Sequence, residues 1–526
     1  MEARSGADLQ PFMKRVLPAR RLAARATASA FVLTVVSAVL YAAAFPPLGL
    51  WPVAWIALAP LFAAATLVSP RVGFGVGVVW GVLAAIGVSG WLPSMIASFF
   101  EAPLAVGVAA AAGVYLLAAT YYGALVAWTS WMAKRASLNP VLLGAAWCTC
   151  EFVRASWPLP DPWALLGYSQ LGWPTVVQTA DLGGPFAVGF LVAVANALVA
   201  SLFVVRLRGR RPLAEAALAA ALLATALGYG SWRLGQHFGE GPARRVALVQ
   251  GAVERSKRWG PENRQGNLER QLALSDGALR DGSDLIVWPE YAVDFYPQES
   301  TALQARLLQV SVGQRAELLF GAPDYDFDQG RTRYFNATYL VRDGRLAGRY
   351  HKVHLMPFSE HNPLEAWVGR GKKDLTPGDT SGPLETAIGR VAILLCNEAM
   401  FPSYVRERVR LGAEVLVSPA NDDWFGDEAA AAQQLAAVSF RAIETRRFLL
   451  RSATTGYSAV IDPHGRVVRT TRFGKPDVAE AEVLRSSATP PYQRVGDFPS
   501  LAAAAGVCVA TASAARRSRA RTNLSC

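Results

Sequence analysis

VAILLCNE, residues 391–398, is a run of five apolar residues that closes on a thiol, an amide and a carboxylate. A run this short and this apolar, rich in aliphatic side chains, reads as a strand buried on both faces. Similar runs lie on either side of it: VALVQG (246–251), DLIVWPE (284–290), ELLFGAP (317–323), AEVLVSPAND (413–422), FLLRSATTG (448–456) and SAVIDPHG (458–465). Between them, 264–281, 302–315 and 428–446 read as helices, the last Ala-rich with a polar face of Gln433, Gln434, Arg441 and Glu444. PHG at 463–465 is a turn signal. From Arg244 onward, short strands alternating with amphipathic helices therefore predict a layered α/β domain.

The chain ahead of this domain has a different character. Of all 526 residues, 52% are hydrophobic and 17% charged, whereas soluble chains carry about a quarter charged residues. That excludes a wholly soluble enzyme and a disordered chain alike. Apolar runs near 28–45, 51–68, 72–94, 104–131, 140–153, 184–205 and 213–230 read as seven membrane spans, with an eighth, short and Ala-rich, at 499–514. The first follows Lys14, Arg15, Arg20, Arg21 and Arg25 without a small-residue cleavage site, so it reads as an uncleaved anchor. The expected division is a basic cytoplasmic N-terminus (1–27), a helical membrane domain (28–235), a catalytic domain (236–495), and a last span with a basic cytoplasmic tail (496–526). Five scattered cysteines have no zinc-ligand spacing and are too few for a disulfide framework.

Basic residues fall on alternate loops. The N-terminus, Arg71, Lys134 with Arg135, the Arg206–Arg211 loop and the tail with Arg516, Arg517, Arg519 and Arg521 share one side if eight spans cross. Short basic loops stay cytoplasmic, which places the segment between the last two spans on the opposite face. The same loops account for the net charge of +12 without nucleic acid.

Three residues invite a chemical reading. Glu290 ends one apolar strand, Lys352 follows another in GRYHKVHLMPFSE, and Cys396 ends a third. A thiol at a strand end is a nucleophile when a neighbouring cation or base draws off its proton. Glu290 and Lys352 are of the right chemistry for that, although each alone is equally a solvated strand end, and Cys396 alone equally a small core residue.

The set resembles the nitrilase superfamily of carbon–nitrogen hydrolases, whose Glu, Lys and Cys stand at strand ends in this order. WPE (288–290), HKVHLMPFSE (351–360), CNE (396–398) and NDDWFGD (421–427) are similar to one branch, the apolipoprotein N-acyltransferases. PPLGLWPVAWIALAPLF (46–62) and EFVRASWPLPDPWALLGYSQ (151–170) resemble that branch's membrane segments, so the likeness covers about 40–490. It implies a polytopic α-helical membrane domain joined to a nitrilase-like four-layer αββα sandwich, in a multi-pass protein of the bacterial inner membrane with its catalytic domain in the periplasm. The implied reaction is two-step acyl transfer. Glu290 takes the proton of Cys396, the sulfur attacks an ester of a phospholipid such as phosphatidylethanolamine, and the thioester is discharged by the amine of a lipoprotein's diacylglyceryl cysteine. Lys352 and the backbone N–H of Asn397 are the expected oxyanion donors, and no metal or diffusible cofactor is needed.

By the same resemblance, Glu360 and Glu398 are expected to orient Lys352 and the substrate amine. Trp259 and Trp424 match tryptophans of lid or substrate contacts, and Glu444 matches a glutamate on the following helix, where it is equally placed to pair with Arg441 or Arg447. Two departures lie beside the centre: Asn397 stands where Tyr is frequent, and His361-Asn362-Pro363 follows Glu360. The competing readings are a membrane-tethered amidase or nitrile hydrolase, and a non-catalytic membrane scaffold, for which three intact reactive residues have no use.

Overall fold

The computed structural model describes residues 9–136, 138–157, 159–204, 212–253, 262–328, 330–362, 374–379 and 382–523. Twelve strands form two six-stranded sheets, ordered β12-β1-β2-β3-β4-β5 and β11-β10-β9-β8-β7-β6. The first holds β1 (Glu240–Gln250), β2 (Leu285–Val287), β3 (Glu317–Asp328), β4 (Arg331–Arg342), β5 (Arg345–His351) and β12 (Asp477–Arg485). The second holds β6 (Leu384–Thr386), β7 (Gly389–Ile393), β8 (Val415–Ala420), β9 (Leu449–Ala453), β10 (Ala459–Ile461) and β11 (Val467–Thr470). At each centre three strands run parallel, β1-β2-β3 and β7-β8-β9.

The period of two explains the layers. Val246, Leu248, Leu285, Val287 and Leu319 from the first sheet meet Val391, Ile393, Val415, Val417 and Leu450 from the second in one core. The alternate residues Ala247, Val249, Ile286, Trp288 and Phe320 point outward under the helices Arg264–Arg280 and Thr301–Gln309. On the other outer face, Ala392, Leu394, Leu416 and Leu449 pack with Val405 and Val409 of Pro402–Arg410 and Val438 and Ala442 of Glu428–Thr445. Both faces of the central strands β2, β8 and β9 are thus buried, which is why their sequence runs are apolar without alternation. The four-layer expectation is met. Four strands not anticipated from sequence, β4, β6, β11 and β12, carry many polar or charged residues because they lie toward the sheet edges.

All eight expected spans are helical. Among the described residues, six helices are long and apolar enough to cross a membrane: Ala24–Ala43, Pro70–Ser89, Leu104–Ala133, Ala180–Phe203, Leu213–Leu234 and Phe498–Ala520. The other two fall short of that length. Trp51–Leu67 is broken into three short pieces, and Pro140–Ser156 has 17 residues. The third expected span, 72–94, ends earlier, at Ser89, and a separate short helix, Leu92–Phe99, follows. Close packing between Pro70–Ser89 and Leu104–Ala133 rests on small residues: a Cβ at Gly77 would stand 2.4 Å from the Tyr122 carbonyl oxygen, and one at Gly81 2.7 Å from Ala119 Cα. Such close helix approach is how membrane helices gain dispersion energy where lipid removes the hydrophobic drive.

The polar face foreseen on Glu428–Thr445 is not solvated. Gln433, Gln434, Arg441 and Glu444 are all buried, because this face turns onto the membrane domain. Gln433 Nε2 donates to the carbonyls of Pro46 at 2.9 Å and Val88 at 2.8 Å, and its Oε1 accepts from Trp163 Nε1 at 2.8 Å. At the helix end, buried Asp181 accepts from Arg446 at 2.6 Å, from Arg233 Nε at 2.6 Å and from the Tyr229 hydroxyl at 2.6 Å. Desolvated charges need such partners, and this set fixes the catalytic sheets against the membrane helices.

Candidate active site

Each of the three candidate residues sits just past the end of a strand, two of these strands being central and one, β5, at the edge of its sheet. Glu290 follows β2, Lys352 follows β5, and Cys396 follows β7 at the head of a 3-10 turn, Cys396–Met400. Cys396 has φ +51°. A residue with a Cβ in the left-handed region costs about 1–2 kcal/mol, and such strain gathers where a side chain has to be aimed.

The three come together in a buried charge cluster. Lys352, 2% exposed, places Nζ 3.3 Å from Glu290 Oε1 and 3.0 Å and 2.9 Å from the two oxygens of Glu360. Asn336 Nδ2 donates to both carboxylates, at 2.7 Å to Glu290 and 2.8 Å to Glu360. Burial pulls the Lys352 ammonium down, but Glu290, Glu360 and Cys396 outweigh it and hold its pKa well above the ordinary lysine value. The thiol goes the other way from the first expectation. Burial pushes Cys396 up, Glu290 adds to it, and Lys352 offsets only part. Two carboxylates share one ammonium, so no cationic surplus is left to make a resting thiolate.

Glu360 contacts Lys352 through both carboxylate oxygens. Glu398 binds backbone instead of the lysine. Its Oε1 accepts from the N–H groups of Val353 at 2.7 Å and His354 at 3.0 Å, its Oε2 from Leu395 N–H at 2.7 Å, and the Tyr350 hydroxyl lies 2.9 Å from both. Burial raises this carboxyl to about 7, against the pull of those N–H groups and of Lys352. Glu398 thus ties the strand end carrying Lys352 to the residue before Cys396. Glu398→Gln would set an NH₂ against the Leu395 N–H, leaving one buried donor unmade at about 1–3 kcal/mol. We expect a lower melting temperature in detergent and slower thiol labelling of Cys396; an unchanged labelling rate would remove the positioning role.

Of the remaining expected residues, Asn397 lines the same cavity as Cys396. Trp424 packs on Phe99 of the membrane domain, ring centroids 4.6 Å apart, while its neighbour Phe425 lines the cavity and contacts Trp91 and Trp163. Glu444 pairs with Arg441 at 2.7 Å, and Arg441 donates to the Tyr168 hydroxyl at 3.1 Å. Glu444 therefore belongs to the interdomain contact and is not part of the cavity wall. Trp259 lies outside the described residues, as do Pro363 and the loop 205–211. Sequence reasoning missed Asn336 and Tyr350. An amide in the middle of YFNATYL was the available signal, since a buried polar side chain in an apolar strand demands partners.

The cavity, of about 920 Å³, joins the two domains. Cys396, Asn397 and Met400 of the α/β domain line it together with Ala84, Val88, Val114, Ala118 and buried Arg154 of the membrane helices. Arg154 is held by Asp161 at 2.6 Å and by the Trp163 carbonyl at 2.9 Å.

A double sheet with Glu, Lys and Cys clustered at its strand ends defines a nitrilase-type α/β domain, and the carbon–nitrogen hydrolase family model matches residues 245–490. The model of the apolipoprotein N-acyltransferase N-terminal domain matches residues 37–198. The chain is 33% identical to the apolipoprotein N-acyltransferase of Geobacter metallireducens over 503 residues, covering 93% of this chain and 95% of that one. It is 31% identical to that of Azotobacter vinelandii over 472 residues, covering 86% and 89%. The solved structure of Saccharomyces cerevisiae Nit3, a nitrilase-superfamily member, is 20% identical, with a TM-score of 0.36 over 46% of this chain and 90% of that one. The chain belongs to the apolipoprotein N-acyltransferase family.

Proposed function

We propose that this protein transfers a fatty acyl chain from a phospholipid, through a thioester on Cys396, to the N-terminal amine of the diacylglyceryl cysteine of an apolipoprotein. The observation that carries this reading is the cavity. Its lining joins a thiol beside a Glu-Lys-Glu cluster to apolar residues of membrane helices. A space built that way suits a donor that arrives in the bilayer, whereas a hydrolase of small soluble amides has no use for one.

Glu290 takes the proton as the Cys396 sulfur attacks the ester carbonyl, and returns it to the lysophospholipid alcohol as the C–O bond breaks. Lys352 and the backbone N–H of Asn397, near the start of a helical turn where such groups lack intrahelical partners, hold the oxyanion; one such donor contributes about 3–4 kcal/mol. The acceptor amine then attacks the thioester carbon. Glu290 moves its proton to the departing sulfur, and the amide forms without ATP because a thioester is the more reactive acyl donor. Glu360 keeps Lys352 in place through both steps. Phosphatidylethanolamine is the donor we assign, and the alternating basic loops support a catalytic domain on the periplasmic side.

Intact-mass analysis of the purified protein after incubation with phosphatidylethanolamine tests the chemistry. A fatty-acyl adduct that a diacylglyceryl-cysteine peptide discharges is the expected result. A reactive Cys396 that never acquires the adduct would move the amidase reading to first place. A periplasm-dependent reporter fused near residue 480 should be active, and an inactive one would reverse the topology.

A further inference from the structure

The turn that carries the thiol leaves one polar atom without a partner. Asn397 is only 8% exposed, and its side-chain Oδ1 is buried with no hydrogen bond. The residue lines the cavity beside Cys396. A buried amide oxygen without a donor is a cost that native structures rarely carry for nothing.

The two half-reactions differ in what they could offer it. In the first, the reacting ester presents only oxygen acceptors, so Oδ1 stays unpaired. In the second, a primary amine enters with two N–H bonds and a lone pair. One proton passes through Glu290 to the Cys396 sulfur as the C–S bond breaks and the C–N bond forms. The other stays on nitrogen in the product amide, and in a buried cavity it requires an acceptor throughout. We propose that Asn397 Oδ1 accepts this retained N–H, aims the amine lone pair at the thioester carbon, and selects primary over N-alkylated amines, whose single N–H must be given up to the base. This rests on the thioester reading above and adds to it a group that serves the second half-reaction.

The test uses the full-length protein in detergent with phosphatidylethanolamine. Adduct formation and its discharge are followed by mass for wild type, Asn397→Leu and Asn397→Asp. The discharging peptides are a diacylglyceryl-cysteine peptide and its N-methyl form. For Asn397→Leu, discharge by the primary amine should slow about tenfold more than adduct formation does, the scale of one lost buried hydrogen bond. Its preference for the primary over the N-methyl peptide should shrink by a similar factor. Asn397→Asp, which keeps an acceptor oxygen, should retain more of both. Equal slowing of the two steps in Asn397→Leu, or an unchanged preference, would overturn the proposal. A wild-type enzyme that forms no adduct would instead overturn the thioester reading on which it stands.

Discussion

Cys396→Ala is expected to abolish acyl transfer while the protein still inserts and folds. The substitution removes one sulfur atom from a buried site and keeps the Cβ, so the left-handed backbone at this residue gains no new clash. The packing loss is that of a small side chain, about 1 kcal/mol. The chemical loss is far larger. Without a nucleophile there is no covalent intermediate, and removal of the nucleophile from a comparable triad lowers turnover by about 10⁶-fold. The expected readout is no acyl adduct by mass and transfer to the diacylglyceryl peptide reduced at least about 10⁴-fold, with an unchanged elution profile in detergent. Residual transfer within tenfold of wild type would remove Cys396 from the mechanism.

Lys352→Met should produce the second largest effect, on stability as well as rate. Lys352 is the cation between Glu290 and Glu360, and both carboxylates also share the single Asn336 amide. Deleting one partner of a buried ion cluster costs about 3–5 kcal/mol, because the remaining charges are uncompensated. Without the cation the two carboxylates repel each other, and Glu290 is no longer held where it can accept from Cys396. Loss of the oxyanion donor adds to this, so adduct formation should fall by at least about 10³-fold. A double variant, Lys352→Met with Glu360→Gln, separates the two consequences. Removing one of the opposed charges should restore much of the lost melting temperature and none of the activity. If the double variant acylates like wild type, Lys352 is a structural ion-pair partner and nothing more.

These two outcomes depend on residues that were legible before any coordinates. Glu290 and Cys396 stand at the ends of apolar runs, and such runs announce central strands because both their faces are covered, whereas Lys352 follows the edge strand β5, whose sequence is mostly polar. Edge strands such as β11 were not legible, since it is only four residues long, VVRT, and exposed along its length, so no run of buried apolar residues marks it. In the membrane half, length and apolarity located all eight helical segments, of which six among the described residues are long and apolar enough to cross a membrane. They could not tell that Trp51–Leu67 is broken, because the breaks come from local backbone geometry at Pro-containing turns and leave composition unchanged.

What the sequence determined by itself was the chemistry available and the solvent of each half: three reactive groups in a layered α/β domain, and a series of helices that only lipid would accept. Tertiary structure decided which charges meet. The polar face of Glu428–Thr445 fits a solvated helix on its own pattern, yet it is buried, because the membrane domain supplies carbonyls and a tyrosine hydroxyl at the matching positions. The resemblance implies a lysine partner for Glu398, yet it binds backbone, because the 3-10 turn carries its carboxylate toward the N–H groups of Val353, His354 and Leu395. Hydrophobic burial is written in local periodicity. The pairing of a desolvated polar group depends on which distant segment the fold brings within about 3 Å of it, and that distance exists only once the chain has folded.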